Sequence, residues 1–173
     1  MSQNDTRPIP VKQHSMMHIG IGPIQFPGYL DRTQMVTRSD STQLNLSETH
    51  RWAEPLQNNF ARILAENLSL LLNTDKVTLH PSRNWPDINY QILIDVWQLD
   101  ADRQGNATLV ANWSIRTDKG TSLLFMKKSE FTTAIKPAAS YTEIATALSK
   151  TIEMLSHEIA EVISKLGKRQ IVN

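Results

Sequence analysis

Histidines and carboxylates are the side chains of this chain that could act as metal ligands or as acids and bases. The five histidines are His14, His18, His50, His80 and His157. A zinc site needs several ligands of this kind at close, regular spacing. His157 has a carboxylate, Glu161, four residues away, but such a spacing is common on solvated helix faces. The histidine pattern therefore predicts no metal site.

Other residue patterns that mark catalytic sites are also missing from the sequence. There is no cysteine, which excludes thiolate catalysis, thiolate metal sites and disulfides. Gly20 and Gly22 lie inside a predicted strand that no helix follows, so they do not form a phosphate-binding loop. Asp95 and Asp100 bracket another predicted strand and have no acid or base partner in the sequence. We therefore expect neither an enzyme nor a bound cofactor.

The composition is that of one globular domain with almost balanced charge. At 173 residues, of which 40% are hydrophobic, the chain can bury a substantial core. Its 18 basic and 17 acidic side chains give a net charge of +1, so no overall field attracts nucleic acid or an anionic membrane. No apolar run approaches the roughly 20 residues of a transmembrane helix. We expect a flexible arm or tether at residues 1–11, one domain at residues 12–167 and a tail at residues 168–173.

The apolar stretch at residues 17–26 predicts a strand that ends in a bend. Met17, Ile19 and Ile21 alternate with small or polar residues, as on a strand with one buried face. Pro23 has no backbone N–H, which places it at a sheet edge or in a bulge. The following residues predict a turn at 27–30 and a second short strand at 34–37.

Further strands follow in the second quarter and in the middle of the chain. Short strands are predicted at residues 43–47 and 77–80. A meander of three long strands is predicted at residues 88–99, 107–116 and 121–135. Turns at residues 100–106 and 117–120 join these three strands. In the first long strand, Leu93, Trp97 and Leu99 share one face. Trp97, Leu124 and Met126 expose more apolar surface than an unoccupied face normally carries, which favours an interface there.

Two amphipathic helices complete the prediction. Pro55 would disrupt a helix interior, so the first helix starts there and runs to residue 72, with an apolar stripe of Leu56, Phe60, Ile63, Leu64, Leu68 and Leu71. The second spans residues 140–166, where Ser140 and Glu143 form a capping box and Gly167 ends the helix. The order of elements predicts an α+β fold. It is a two-layer sandwich in which a mixed, mainly antiparallel sheet carries both helices on one face.

Two motifs in the first half of the chain resemble those of the ABC-type transport auxiliary lipoprotein family. The matching residues are Pro27, Tyr29 and Leu30 in the first motif, and Trp52, Ala53, Pro55, Leu56, Asn67 and Leu68 in the second. The resemblance and the exposed meander together give the candidate interaction residues Pro27, Tyr29, Leu30, Trp52, Pro55, Leu56, Trp97, Leu124 and Met126. None of them is expected to be catalytic.

The resemblance implies a periplasmic subunit that is anchored in the outer membrane and acts by docking and assembly. Its implied partners are an MCE-domain tunnel protein and the membrane components of an ABC-type lipid transporter, and it implies a homo-oligomer. Family members are anchored by a lipidated cysteine, which we expect upstream of Met1. Two other hypotheses remain: a monomeric module that binds an apolar or acyl ligand between helices and sheet, and an enzyme with an unrecognised site.

Overall fold

The computed structural model describes residues 16–40, 42–82, 87–117 and 120–170. The predicted arm at residues 1–11 lies outside this part. The strands are β1 (Ile19–Gln25), β2 (Gln34–Arg38), β3 (Leu44–Arg51), β4 (Val77–Leu79), β5 (Tyr90–Asp102), β6 (Asn106–Thr117) and β7 (Ser122–Ala134). The helices are α1 (Leu56–Leu71) and α2 (Tyr141–Gln170), and a short 3₁₀ helix spans Gly28–Leu30.

The strands form one mixed sheet with β5 at its centre. On one side β5 pairs antiparallel with β6, which pairs antiparallel with β7. On the other side β5 pairs parallel with β1 and, at its end, with β2. β4 adds parallel to β1, and β3 antiparallel to β2. Both helices pack on one face of this sheet, which confirms the predicted α+β sandwich.

The proline of the first strand lies in a bulge. β1 is an interior strand, and its register with β5 shifts between Ile21 and Ile24, on either side of Pro23. A residue without a backbone N–H is tolerated there because the bulge interrupts the ladder. Gly22 is needed beside it, since its φ is +110° and a Cβ at this position would lie 2.9 Å from Cβ of His80.

α1 begins where the sequence indicates, with Pro55 as its N-cap residue. Its core-facing side chains Leu56, Phe60, Leu64 and Leu68 are buried. The predicted stripe was wrong at its end, because Leu71 is 38% exposed. At 100° per residue, the i, i+4 series of buried residues places Leu71 at the margin of the stripe, where the sheet no longer covers it.

α2 carries the predicted capping box. The backbone N–H of Ser140 donates to Oε2 of Glu143 at 2.7 Å, and the N–H of Glu143 donates to Oγ of Ser140 at 3.2 Å. The predicted stop at Gly167 is wrong, since the helix continues to Gln170. Glycine ends a helix by adopting a left-handed conformation, and Gly167 does not adopt one. A Cβ at this position would lie 3.8 Å from Cε of Met17, so Met17 packs against the glycine.

The two helices run in the same direction beside each other. At their starts the ring of His50, just before α1, stacks on the ring of Tyr141 with centroids 4.1 Å apart. Further along, Nδ2 of Asn67 donates to Oγ of Ser156 at 3.1 Å. Asn67 of the second motif thus joins the helices through a partly buried polar contact. Neither α1 nor α2 is long and apolar enough to cross a membrane.

A bulge in β5 changes which residues face the core. The register between β5 and β6 shifts between Val96 and Gln98, so Trp97 is the extra residue. Leu99 was predicted on the same face as Trp97 but lies in the core, 1% exposed, opposite Leu109. Asp100 was predicted in a turn but lies inside β5, which extends to Asp102. The insertion of one residue reverses the alternation of side chains beyond it.

Candidate interaction surface

The sheet face opposite the helices, here called the outer face, carries an apolar surface across β5, β6 and β7. Leu93, Ser114 and Met126 form one row across the three strands by their registers. Asp95, Asn112 and Lys128 form the next row. The most exposed apolar side chains of this region are Trp97 at 48%, Leu123 at 51%, Leu124 at 36% and Met126 at 67%. Large apolar side chains clustered in this way mark a contact surface.

Trp97 is held on the outer face by two polar neighbours. Its Nε1 donates to Oδ2 of Asp95 at 3.0 Å, and Nζ of Lys128 lies 4.4 Å from the centre of its ring. The second distance is that of a cation–π contact. The bulge at Trp97 supplies the position, and the two charged side chains set the orientation of the ring. Tryptophan oriented in advance loses little conformational entropy when a partner covers it.

A depression beside this surface continues it towards β1. Its volume is about 320 Å³, and its lining includes Pro23, Leu93, Asn112 and Met126. The bulge of β1 at Pro23 forms one wall of the depression. This bulge and the bulge of β5 at Trp97 therefore border the same part of the outer face. The depression is open to solvent. Its lining combines apolar side chains with the carboxylate of Asp95, which accepts a hydrogen bond from Trp97, and the hydroxyl of Ser114.

The residues of the first motif serve mainly to hold the bend after β1. Leu30 is buried, and its N–H donates to the carbonyl of Pro27 at 2.9 Å. The ring of Tyr29 is partly buried, and its hydroxyl donates to Oδ2 of Asp100 at 3.0 Å. The motif thus ties the short 3₁₀ helix to the central strand.

Asp100 is the centre of a polar cluster that the sequence did not reveal. It is 1% exposed, and Nη2 of Arg38 donates to its Oδ2 at 2.8 Å. Nε2 of Gln98 donates to its Oδ1 at 2.9 Å. Arg38 and Tyr29 lie 62 and 71 residues before Asp100, so no local sequence pattern links them. The cluster satisfies a buried carboxylate and connects β2, β5 and the first motif.

The environment of Tyr29 disfavours its anionic form. Burial, followed by the neighbouring carboxylate of Asp100, raises the pKa of Tyr29 from 10.0 to about 12. The unfolded chain therefore loses this proton at lower pH than the folded protein. Between pH 10 and pH 12 the contribution of Tyr29 to stability should fall as the pH rises, and it is fully present below pH 10.

We expect Tyr29→Phe to lower the free energy of unfolding by about 1.5 kcal/mol at neutral pH, because a hydrogen bond to a charged group is lost. The variant should also lose part of the decline in stability above pH 10. Urea denaturation of both proteins at pH 7 and at pH 11, followed by circular dichroism, measures both effects. The role assigned to this hydroxyl would be contradicted if both proteins had the same free energy of unfolding at pH 7 and the same decline of that free energy above pH 10.

The second motif meets the first at the start of α1. Pro55 is exposed and Leu56 is buried. Trp52 is partly buried, and its backbone N–H donates to the backbone carbonyl of Thr33 at 2.8 Å. A depression of about 330 Å³ lies between the motifs and is lined in part by Phe26, Leu30, Pro55 and Leu56. The motifs therefore form one corner of the fold, and Trp97, Leu124 and Met126 do not line its depression.

Residues suited to metal binding or catalysis are not brought together in the described ranges. No group of three or more histidine, cysteine, aspartate or glutamate side chains there could hold a metal ion. His157 does not pair with Glu161: its Nε2 lies 3.9 Å from Glu153, and Glu161 pairs with Lys165. Both pairs are exposed helix contacts of the kind that the sequence indicates.

Solved structures share this fold at low sequence identity. A Xanthomonas campestris protein of the DUF330 family is 15% identical, with a TM-score of 0.74, over 96% of this chain and 94% of that protein. An uncharacterised protein is 19% identical, with a TM-score of 0.68, over 87% and 95% of the two chains. A hypothetical protein of Chlamydia trachomatis is 11% identical, with a TM-score of 0.50, over 86% and 96%. These likenesses show the fold alone.

The sequence comparison identifies the family. No curated protein sequence matches this chain. A family model described as ABC-type transport auxiliary lipoprotein component matches residues 2–160, which includes both motifs, the whole sheet and two thirds of α2. The chain belongs to the ABC-type transport auxiliary lipoprotein family.

Proposed function

We propose that this protein is a periplasmic auxiliary subunit of an ABC-type intermembrane lipid transporter, anchored in the outer membrane in its mature form. It acts by docking and assembly, in several copies, on an MCE-domain tunnel protein and the membrane components of the transporter. The observation that carries this proposal is the exposed apolar surface of the outer face around Trp97, Leu124 and Met126. Membership of the transport auxiliary family supports the same role.

The outer face has the make-up of a protein contact. Trp97 and Met126 are its large apolar side chains, and the charged side chains of Asp95 and Lys128 lie in the row between them. Interfaces commonly have this arrangement, in which a few large residues supply most of the affinity. Each Å² of apolar surface covered by a partner contributes about 25 cal/mol before the costs of association. The surface is thus suited to a subunit that recognises a neighbour.

A second candidate function is a module that binds an apolar or acyl ligand. The depression of about 320 Å³ on the outer face favours it, since its size is at the lower end of small-molecule sites and Leu93 and Met126 line it. The open shape favours a protein partner, because a single acyl chain would remain largely in contact with water. Binding of a fluorescent fatty acid by the isolated protein, competed by phospholipid, would distinguish this function.

We expect Met126→Glu to abolish function in cells while the domain stays folded, because a charge on the apolar surface opposes docking. The test is complementation of envelope resistance in a strain that lacks the gene, with circular dichroism and thermal melting of each purified variant. Met154→Glu is the matched control, since Met154 is a 41% exposed methionine on α2, away from the outer face. It should keep full activity, and so should His157→Ala.

Two results would overturn the docking proposal. One is full complementation by folded Met126→Glu and by a second outer-face variant, Trp97→Glu. The other is complete loss of function in a folded variant of one histidine, which would direct the search to a catalytic or metal site near that histidine.

A further inference from the structure

A groove follows the junction between the end of β7 and the first half of α2. Its first part is a depression of about 390 Å³ between the turn that joins β5 to β6 and the start of α2. Its second part is a depression of about 310 Å³ between the last residues of β7 and α2. Ile135 and Lys136 line both depressions, so the two adjoin at these residues. Each volume is at the lower end of small-molecule sites, and together they offer a ligand two different environments.

The loop between β7 and α2, which borders both depressions, is held in place by its backbone. The N–H of Ile135 donates to the carbonyl of Gly105 at 2.8 Å, which joins this loop to the β5–β6 turn. Gly105 has a φ of +92°, and a Cβ there would lie 2.7 Å from the carbonyl oxygen of Ile135. The N–H of Ala139 donates to the carbonyl of Lys136 at 3.1 Å. The backbone of Lys136 is therefore fixed between the two depressions.

Three exposed basic side chains line the groove and form no ion pair within the part of the chain that the structure describes. They are Arg103 in the first depression, Lys150 in the second, and Lys136 in both. Thr37 and Tyr141 also line the first depression and carry hydroxyl groups. Guanidinium, ammonium and hydroxyl donors in one concave site suit a phosphate or a carboxylate.

Two carboxylates line the groove as well, but both already accept hydrogen bonds. Asp102 accepts from the backbone N–H of Asn106 at 2.9 Å, and Glu143 accepts from that of Ser140 in the capping box at 2.7 Å. Three basic side chains against two acidic ones leave the groove with one positive charge in excess. An anionic group would therefore find free donors there without displacing the contacts of the carboxylates.

The second depression supplies apolar contact for the rest of such a ligand. Its lining includes the apolar side chains of Ala134, Ile135 and Ala147 and the methyl-bearing side chains of Thr133, Thr142 and Thr146. An apolar chain attached to a head group beside Lys136 would extend into this depression, and each methylene group buried there favours binding.

We propose that this groove binds an amphiphile with one anionic head group, a phosphate or a carboxylate, and a single apolar chain. The head group lies in the first depression against Arg103 and Lys136, and the chain lies in the second against Ala134 and Ala147. A lysophospholipid and a fatty acid share this chemistry. The groove has no lining residue in common with the depression on the outer face. The inference therefore goes beyond the docking role and does not require it.

The test is isothermal titration calorimetry of the purified protein with dodecyl phosphate below its critical micelle concentration. The wild type should show saturable binding. Decyl and octyl phosphate should bind more weakly, by about two- to fourfold in the dissociation constant for each methylene group removed. The neutral dodecyl maltoside should bind at least about tenfold more weakly, because it has no charge for the basic side chains. Titration with dodecanoate distinguishes the two sources, since tighter binding of dodecanoate than of dodecyl phosphate would point to a fatty acid and the reverse to a phospholipid.

Variants of the groove locate the binding. Arg103→Ala and Lys136→Ala should each raise the dissociation constant of dodecyl phosphate about fivefold or more, because a charge-assisted contact is lost. Ala134→Trp should fill the second depression and remove the dependence on chain length. Lys168→Ala is the matched control, since Lys168 is an exposed lysine near the far end of α2, and it should have no effect. Met126→Glu on the outer face should also leave binding unchanged.

Three results would exclude this site. They are the absence of saturable binding, equally tight binding of dodecyl maltoside, and unchanged binding by the double variant Arg103→Ala, Lys136→Ala when circular dichroism shows that it is folded. Because the titration uses purified protein, each of these results leaves the docking role unaffected. Full complementation by folded outer-face variants counts only against the docking role, since those variants keep the groove.

Discussion

Replacing Phe60 with alanine is expected to lower the free energy of unfolding by about 3 to 5 kcal/mol. Phe60 is fully buried in α1, and its ring meets that of Phe26 edge-on with centroids 5.3 Å apart. The truncation removes this aromatic contact and leaves a cavity between α1 and the end of β1. Packed surroundings collapse only partly into such a cavity, which adds to the lost transfer free energy.

Urea denaturation followed by circular dichroism measures this loss. Leu70→Ala is the control, since Leu70 lies on the same helix but is 81% exposed and should change stability by less than about 0.5 kcal/mol. A loss below about 1.5 kcal/mol for Phe60→Ala would show that the corner between the two motifs repacks easily. Packing at this corner would then not explain why the chain carries both motifs.

Replacing Arg38 with methionine is expected to cost about 3 kcal/mol, because it leaves the buried carboxylate of Asp100 without its positive partner. Tyr29 and Gln98 still donate to Asp100, which keeps the cost at the lower end for a broken buried pair. Methionine retains most of the apolar length of the side chain, so lost packing contributes little. The same denaturation experiment applies, at neutral pH.

Arg62→Met is the matched control for Arg38→Met. Arg62 pairs with Glu54 and Glu66, but on an exposed helix surface, where ion pairs add little to stability. Its replacement should leave the unfolding midpoint nearly unchanged. If Arg38→Met were equally harmless, the cluster around Asp100 would not hold β2 and the first motif to β5. In that case, replacing Asp100 with leucine in the Arg38→Met variant should not increase stability either.

The local elements of the fold were predictable because side-chain periodicity reports which face is buried. The i, i+4 series from Leu56 and the capping box at Ser140 located both helices. Alternating residues located the long strands of the meander, and the exposure of Trp97, Leu124 and Met126 was expected from the same patterns. Each of these inferences depends on residues close together in the chain.

Contacts between distant residues were decided by the tertiary structure alone. The bulge at Trp97 reversed the faces of Leu99 and Asp100, and a one-residue insertion leaves no mark in an apolar sequence. Asp100 was read as unpartnered because Arg38 and Tyr29 reach it only after β2 and the 3₁₀ helix dock on β5. The helix continues past Gly167 to Gln170, and Met17 packs against this glycine from the other end of the chain. Sequence periodicity therefore determined the elements and their buried faces, whereas strand register and long-range packing determined the polar partners and the shape of the outer face.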